Sequence, residues 1–425
     1  MLLVDKFAAG RTKRRAVYLA VTALFSVPCL AAADEVFKAT AGVTVPGVAL
    51  KSYDISFVDP VIHAYVLGDR THKAIDVVDT QDLTITQLSA TPPFAGATGN
   101  NNTSGPDGVI IIHHSEVWAG DGNSTVKVID LLTGNTTHVI STNGTDRADE
   151  ECFDADDDLV MVANNADTPP FGSIISTKDY TVKHQVKFDG TNGAPNSNNG
   201  AEQCQWSPRT GKFYISIPGI VGQPAGGGGI AVIDPKTGKV ETTFILDETK
   251  CDTPQGMAVG PDHQIMIGCN NTALGPVTSG VIIDERNGKI TAVIPNESGP
   301  GEVYYNEGDG QYFLARSGAN GSNQLLGVVD AEGKTADQSI VTGIKVTGLS
   351  AHSVASDSGT RRTFVPIPAG INPVGSTGTC GSVGQSDSLG CIAVFTAKHD
   401  DGPDFIVRRD DDDHHDGDRD RDDHH

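Results

Sequence analysis

The sequence predicts an all-β fold, a seven-bladed β-propeller closed by an N-terminal strand, and three observations lead to this prediction. The first is composition: the 425 residues include 49 glycines and 22 prolines, and aromatic residues make up only 6%, which is typical of a turn-rich β protein. The second is a strand pattern that repeats every ~40–50 residues, as propeller blades do. The third is that seven candidate innermost strands can be counted.

The clearest repeat unit lies in the middle of the chain. Residues 253–262 lead into an apolar run at 264–268, and a second apolar run follows at 280–284. A turn at 287–289 then precedes a last run at 290–294. Four short antiparallel strands joined by tight turns make one propeller blade.

The same order recurs along the chain. The predicted innermost strands lie at residues 53–59, 106–112, 149–154, 202–208, 255–261, 301–306 and 351–357. Third strands with their turns agree, at 126–130 before Thr133 and Gly134, at 230–234 before Thr237 and Gly238, and at 326–330 before Glu332 and Gly333. Because these strand and turn segments recur in the same order along the chain, we expect a seven-bladed ring. A six- or eight-bladed ring and a sandwich are the alternatives.

The ends of the chain are expected to meet. The last unit supplies three strands, at residues 352–357, 363–366 and 391–396. Residues 36–45 are apolar enough to supply the fourth, outer strand of that blade. A strand there would leave the ring without an open edge.

The chain divides into a signal peptide at 1–33, the propeller at 34–399 and a disordered Asp/His/Arg-rich tail at 400–425. Four basic residues between positions 11 and 15 precede an apolar run at 16–30, and three alanines follow at 31–33, the pattern of a cleaved signal. An uncleaved membrane anchor is the alternative, but the run is short and contains Pro28. The tail holds too few apolar residues to bury surface; it either collects divalent ions weakly or aids solubility.

Six cysteines remain after cleavage, and we expect three disulfides. Cys251 and Cys269 flank one hairpin, Cys380 and Cys391 close one loop, and Cys152 and Cys204 hold similar places in neighbouring blades. These pairings are hypotheses, since six cysteines allow 15 connectivities. Disulfides persist outside the reducing cytoplasm, so the expected location is periplasmic or secreted.

The charge balance limits the partners. Against 31 Lys and Arg stand 54 Asp and Glu, a formal net charge of −23, which repels nucleic acid and anionic membranes. We therefore expect no nucleic acid and no membrane insertion after signal cleavage. A small molecule or a protein at the channel mouth is the expected partner, and the chain is expected to be a monomer.

Two segments carry a family resemblance. Pro-Gln-Gly-Met-Ala-Val-Gly-Pro-Asp at 254–262 and Ile-Ala-Val-Ile-Asp-Pro-Lys-Thr-Gly-Lys-Val at 230–240 resemble the repeats of YVTN-type bacterial β-propellers, and the resemblance extends over about 53–397. The name motif itself is replaced at 161–164, 213–216 and 313–316. The resemblance implies a periplasmic or surface-exposed propeller, while similar architecture also occurs in calcium-dependent lactonases and a lyase. A fold does not by itself carry a function.

Polar side chains recur where the predicted innermost strands begin. Asp54, Asp107, Glu150, Gln203, Gly256, Glu302 and His352 align at about the same step, with Asp149 and Glu202 one residue earlier. In a propeller these positions converge on one mouth of the channel. Oxygen ligands with one imidazole suit a divalent cation, Ca²⁺ first. The predicted metal ligands are Asp54, Asp107, Glu150, Glu202, Glu302 and His352; polar groups that are merely solvated are the alternative.

The same mouth predicts three functions. The first is ligand binding, assisted by the cation. The second is a metal-dependent hydrolase or lyase acting on a small lactone-like substrate, with Glu302 and His352 as the catalytic residues that activate a metal-bound water; loops at 194–200 and 217–229 would close its pocket. The third is a protein-interaction scaffold without metal.

Overall fold

A computed structural model describes residues 36–224, 226–270, 279–295, 300–316, 324–331, 333, 335–341, 352–370 and 377–398. The predicted signal peptide and tail lie outside the described residues, as do Glu332 of one predicted turn and Ala351 at the start of one predicted strand. Within the described residues, no helix is long and apolar enough to cross a membrane.

The described chain is built almost wholly of short strands. The first thirteen are β1 Val36–Val43, β2 Ser56–Asp59, β3 Ala64–Asp69, β4 Ala74–Asp79, β5 Ile85–Ser89, β6 Val109–Ile112, β7 Glu116–Asp121, β8 Thr125–Asp130, β9 Thr136–Ser141, β10 Glu151–Asp154, β11 Leu159–Asn164, β12 Phe171–Ser176 and β13 Val182–Lys187. The next eight are β14 Cys204–Ser207, β15 Lys212–Ile217, β16 Gly229–Asp234, β17 Lys239–Ile245, β18 Pro254–Val259, β19 Gln264–Cys269, β20 Ser279–Asp284 and β21 Ile290–Pro295. The last seven are β22 Pro300–Asn306, β23 Gln311–Arg316, β24 Gln324–Asp330, β25 Thr335–Val341, β26 Ala355–Asp357, β27 Arg362–Ile367 and β28 Cys391–Lys398. A 3₁₀ turn at Asn101–Thr103 and a one-turn helix, α1 Thr379–Ser382, complete the described elements.

These strands form seven blades of four antiparallel strands, as predicted. Blades 1 to 6 each take four consecutive strands, from β2–β5 to β22–β25. The seventh has the order β1-β28-β27-β26. Strand β1 pairs with β28 from Val36 opposite Lys398 to Val43 opposite Ile392, with a bulge between Ala39 and Ala41. The predicted closure of the ring by an N-terminal strand is therefore confirmed.

The recurring Asp-x-x-Thr-Gly segments explain the turns before the outer strands. In blade 4 the Asp234 carboxylate accepts hydrogen bonds from the Thr237 N–H at 3.0 Å and the Thr237 hydroxyl at 2.8 Å. Gly238 follows with a φ of +63°, a conformation that costs glycine little. Asp130 holds Thr133 in the same way in blade 2.

The core lies between neighbouring blades rather than in one centre. Seven apolar clusters fill these spaces in the described residues, and that between blades 3 and 4 includes Phe188, Phe213 and Ile233, each fully buried. The disulfide Cys152–Cys204 joins β10 to β14 in this cluster. Cys251–Cys269 and Cys380–Cys391 are also paired, so all three predicted pairings are confirmed.

Candidate functional site: the channel mouth

The innermost strands bring polar side chains together in two successive tiers at one mouth of the channel. In blades 1 to 4 the first tier is marked by the same hydrogen bond, from the N–H of Asp54, Asp107, Asp149 and Glu202 to a carbonyl of the second strand. His352 takes this place in blade 7, three residues before the first pair of β26 with β27, Ala355 opposite Phe364. We call Asp54, Asp107, Asp149, Glu202 and His352 the mouth tier.

The second tier lies one residue further along each strand. It contains Glu150, Gln203 and Glu302, which immediately precede residues paired with the second strand. The predicted alignment, which placed Glu150, Gln203, Gly256 and Glu302 level with Asp54, was therefore one residue out in those blades. Acidic residues are adjacent at 149–151, so the sequence alone could not tell which of them matches Asp54.

Arg70 lies among the carboxylates of the mouth tier. Its guanidinium donates to the Asp54 carboxylate at 2.5 Å and contacts Asp107, with the Nε–Oδ1 distance at 2.9 Å. A third hydrogen bond, of 2.7 Å, reaches Asn101 Oδ1. Because all of these charged groups are buried, Arg70 is a fixed counter-charge of the site.

Arg147 provides the second counter-charge. Its Nε donates to Asp149 Oδ2 at 2.8 Å and its Nη2 lies 2.6 Å from the same carboxylate. It also donates to the backbone carbonyl of Asn101 at 3.1 Å. Asn101 thus contacts both arginines and joins the two ion pairs into one network.

The acids still outnumber the bases. Five acids of the two tiers are buried and one, Glu202, is half-buried, against the guanidinium groups of Arg70 and Arg147 and one imidazole; the buried acids are Asp54, Asp107, Asp149, Glu150 and Glu302. Burial, with repulsion from Asp149, raises the pKa of Glu150 well above its usual value and that of Glu202 to about 7. A carboxylate cluster that resists ionisation is stabilised by a further cation.

His352 and Asp54 form a pair. The His352 Nε2 lies 3.0 Å from Asp54 Oδ1, and the imidazole side chain is 44% exposed while the carboxylate is buried. Burial would lower the pKa of His352, but Asp54 outweighs it and raises that pKa. Burial would likewise raise the pKa of Asp54, yet Arg70 and His352 hold it below the usual range. The imidazole is the part of this pair that a ligand can reach.

The second tier is tied to the backbone. Glu302 Oε2 accepts hydrogen bonds from the Ser353 hydroxyl at 2.6 Å and the Val354 N–H at 3.0 Å. Gln203 Oε1 accepts from the Met257 N–H at 2.7 Å and the Val303 N–H at 3.2 Å. Burial raises the pKa of Glu302 to about 8 despite these donors. Glu302 therefore links blade 6 to blade 7, and Gln203 links blade 4 to blades 5 and 6.

Three carboxylates are close enough to share one ion. Among the described residues, one oxygen from each of Asp54, Asp107 and Asp149 can be chosen so that all lie within 4.8 Å of one another. The Oδ2 atom of Asp107 is buried without a hydrogen-bond partner. Asp54 and Asp107 belong to the predicted ligand set, whereas Asp149, which was aligned one residue earlier, was not included in it.

A cavity of about 310 Å³ lies along the innermost strands, next to the second tier. The innermost strands of blades 1 to 6 line it, and the second-tier residues Glu150, Gln203 and Glu302 form part of the wall. The loops at 194–200 and 217–229, predicted to close a pocket, instead pair with each other through Ser197 and Ile220. In the part of those loops that the structure describes, no residue lines this cavity.

Sequence reasoning missed the two arginines. Arg147 stands two residues before Asp149, so its place beside the mouth could have been inferred. Arg70 follows β3, in the loop between the second and third strands of blade 1. That loop ends at the same mouth, so an alignment confined to the innermost strands could not include Arg70.

Comparison with known proteins shows the fold alone. No family model matches the chain, and no curated protein matches it, so the YVTN-type resemblance stays a prediction. Hydrazine synthase of Kuenenia stuttgartiensis is similar in structure with a TM-score of 0.57 at 12% identity, covering 76% of this chain and 95% of that chain. A chain of a mitotic checkpoint complex has a TM-score of 0.57 at 8% identity, covering 94% of this chain and 99% of that chain. The chain is a seven-bladed propeller with an acidic cluster at one mouth.

Proposed function

We propose that the protein is an exported, periplasmic or secreted, propeller that binds a divalent cation, Ca²⁺ first, as part of a ligand site at the mouth tier. The observation that carries this proposal is the Asp54, Asp107 and Asp149 cluster, whose oxygens lie within 4.8 Å of one another. Carboxylate oxygens are the ligands that Ca²⁺ prefers.

The two guanidinium groups do not satisfy every carboxylate oxygen of the cluster, so a place for a bound cation remains. Arg70 and Arg147 orient the three carboxylates, but Asp107 Oδ2 is left buried and without a partner. Leaving a buried acceptor unsatisfied costs about 1–3 kcal/mol. A bound ion would satisfy this oxygen and offset the excess of acids.

The proposed ligand set differs from that expected from sequence. Glu302 already accepts hydrogen bonds from Ser353 and Val354, and His352 is engaged by Asp54. Glu150 lies one tier deeper, and the group of acids whose oxygens lie within 4.8 Å of one another does not include Glu202. We therefore assign the ion to the three aspartates.

Metal analysis of the purified chain tests the proposal. After incubation with Ca²⁺ or Mn²⁺ and gel filtration, we expect one tightly held ion per chain, and none in an Asp107→Asn variant. Asp82→Asn is the matched control, because Asp82 lies on an exposed turn. A second preparation ending at residue 399 removes the acidic, His-containing tail. If that preparation held no ion, the proposal would be wrong.

The exposed imidazole favours a second candidate, a hydrolase or lyase. His352 is reachable from the channel and its orientation is fixed by Asp54, which is the arrangement of a general base. A screen of small lactones against the wild type and His352→Gln tests it: hydrolysis that is lost in the variant supports the enzyme. If the chain binds metal but hydrolyses no lactone, the ligand-binding function is supported. If it neither binds metal nor hydrolyses a lactone, the protein-interaction scaffold is the remaining function.

A further inference from the structure

The channel cavity contains unpaired polar atoms that the mouth tier does not explain. Glu151 is 7% exposed and lines the cavity, and neither of its carboxylate oxygens has a hydrogen-bond partner. Glu150, 4% exposed, lines it too, and its Oε2 is also unpartnered. Buried carboxylates without partners are costly, so a bound cation would stabilise both.

The same wall presents aromatic rings. Phe153 in blade 3, Trp206 in blade 4 and Tyr305 in blade 6 lie at corresponding positions of the innermost strands and are partly exposed. All three line the cavity. The Trp206 Nε1 is buried without a hydrogen-bond partner. Aromatic faces attract organic cations.

This cavity is separate from the proposed ion site. Its lining includes none of the mouth-tier residues, and it begins at the second tier. A volume of about 310 Å³ is at the lower limit of small-molecule pockets, which hold roughly 300–1,000 Å³. A bare metal ion would leave the aromatic wall without a role, and an anion would be repelled by Glu150 and Glu151 whenever either is ionised.

We propose that the channel cavity is a second binding site, which takes a small organic cation: an ammonium group against Glu151 and Glu150, with an apolar part packed on Trp206 and Phe153. A hydrogen-bond acceptor on the ligand would satisfy Trp206 Nε1. A neutral molecule of the same shape would leave both carboxylates unpaired.

Three probes of similar size separate charge from shape. We would titrate the full chain calorimetrically with phenethylammonium, 2-phenylethanol and phenylacetate. The amine should bind at one site, the alcohol should bind at least ~10-fold more weakly than the amine, and the acid should not bind. Glu151→Gln should weaken amine binding at least ~10-fold, while Glu241→Gln, an exposed acid of blade 4, should leave it unchanged. Equal affinities for amine and alcohol, or no binding of any probe, would overturn the proposal.

Fluorescence locates the probe. The sequence has two tryptophans, and Trp118 is fully buried outside the cavity lining. In a Trp118→Phe variant the amine should change the emission of Trp206, and in Trp206→Phe it should leave the emission of Trp118 unchanged. Circular dichroism confirms that each variant is folded.

The Asp107→Asn variant distinguishes the two sites. Amine binding should persist there even if ion binding is lost, because Asp107 does not line the cavity. Amine binding that is lost in Asp107→Asn and retained in Glu151→Gln would place the amine at the mouth and refute the cavity site.

Discussion

Arg70 illustrates at the scale of one residue how the mouth is held together. It is buried, and its guanidinium contacts Asp54, Asp107 and Asn101. Asp54, Asp107 and His352 could be found from the sequence because each stands just before an innermost strand. Arg70 could not be found in that way, since it lies in the loop between the second and third strands of its blade and does not precede an innermost strand.

Removal of Arg70 is expected to destabilise the whole propeller. Arg70→Met leaves the buried Asp107 carboxylate without its arginine and Asp54 with His352 alone, and breaking such a buried pair costs about 3–5 kcal/mol of unfolding free energy. Arg286→Met is the control, because its ion pair with Asp284 is on the surface and contributes little. Urea denaturation of both variants gives the comparison; equal midpoints would contradict this assignment.

Glu302 makes stability depend on pH. Burial raises its pKa to about 8 in the folded protein, above the ordinary 4.5. The folded state therefore binds the proton more tightly, so stability is greatest below pH ~4.5 and falls as pH rises toward 8, by at most roughly 5 kcal/mol for this group. Glu302→Gln should remove that part of the slope.

Unfolding free energies at pH 5, 6.5 and 8 measure this slope. Gln keeps the oxygen that accepts from Ser353 and Val354, so the variant should gain stability chiefly at pH 8. Glu241→Gln, on the surface, should retain the wild-type slope. A wild type whose stability rises from pH 5 to 8 would show that other groups dominate.

At the scale of elements, local pattern predicted most strands but not every register. Turn segments such as that from Asp234 to Gly238 mark their blades because the side chains that make the turn are in the sequence. The pairing in blades 5 and 6 is interrupted between Pro254 and Met257 and between Pro300 and Val303. Such bulges shift a side chain by one position, which explains why Gly256 and Glu302 were aligned one residue out; in blade 3 the adjacent acids at 149–151 had the same effect without a bulge.

The closing strand β1 contributes stability chiefly through the phenyl side chain of Phe37. Phe37 is 1% exposed, and its ring lies 5.1 Å from that of Phe313 in the neighbouring blade. Phe37→Ala should cost about 3–5 kcal/mol, the range for deleting a buried aromatic ring. Lys38→Ala, the next residue and exposed, should have little effect. Thermal unfolding of both variants, followed by circular dichroism, tests this expectation. A Phe37→Ala midpoint equal to that of Lys38→Ala would show that β1 does not hold the propeller closed.

At the scale of the whole molecule, the net charge of −23 and the acidic mouth both favour the binding of cations. The charge attracts cations from solution, more strongly at low ionic strength. The ring then brings Asp54, Asp107 and Asp149 together from three blades. Composition predicted this preference, but the choice among cations depends on distances that exist only once the ring has closed.

Because the three aspartates come from different blades, an ion bound there should stabilise the closed ring as a whole. Binding to the folded state alone raises the unfolding free energy, by about 2.7 kcal/mol when the free ion is at 100 times its dissociation constant. In the chain ending at residue 399, the midpoint of thermal unfolding should therefore rise with the logarithm of the free Ca²⁺ concentration once that concentration exceeds the dissociation constant. Asp107→Asn should abolish the rise and Asp82→Asn should preserve it. A rise that is the same in Asp107→Asn would mean that calcium acts elsewhere, and that Arg70 and Arg147 alone neutralise the mouth.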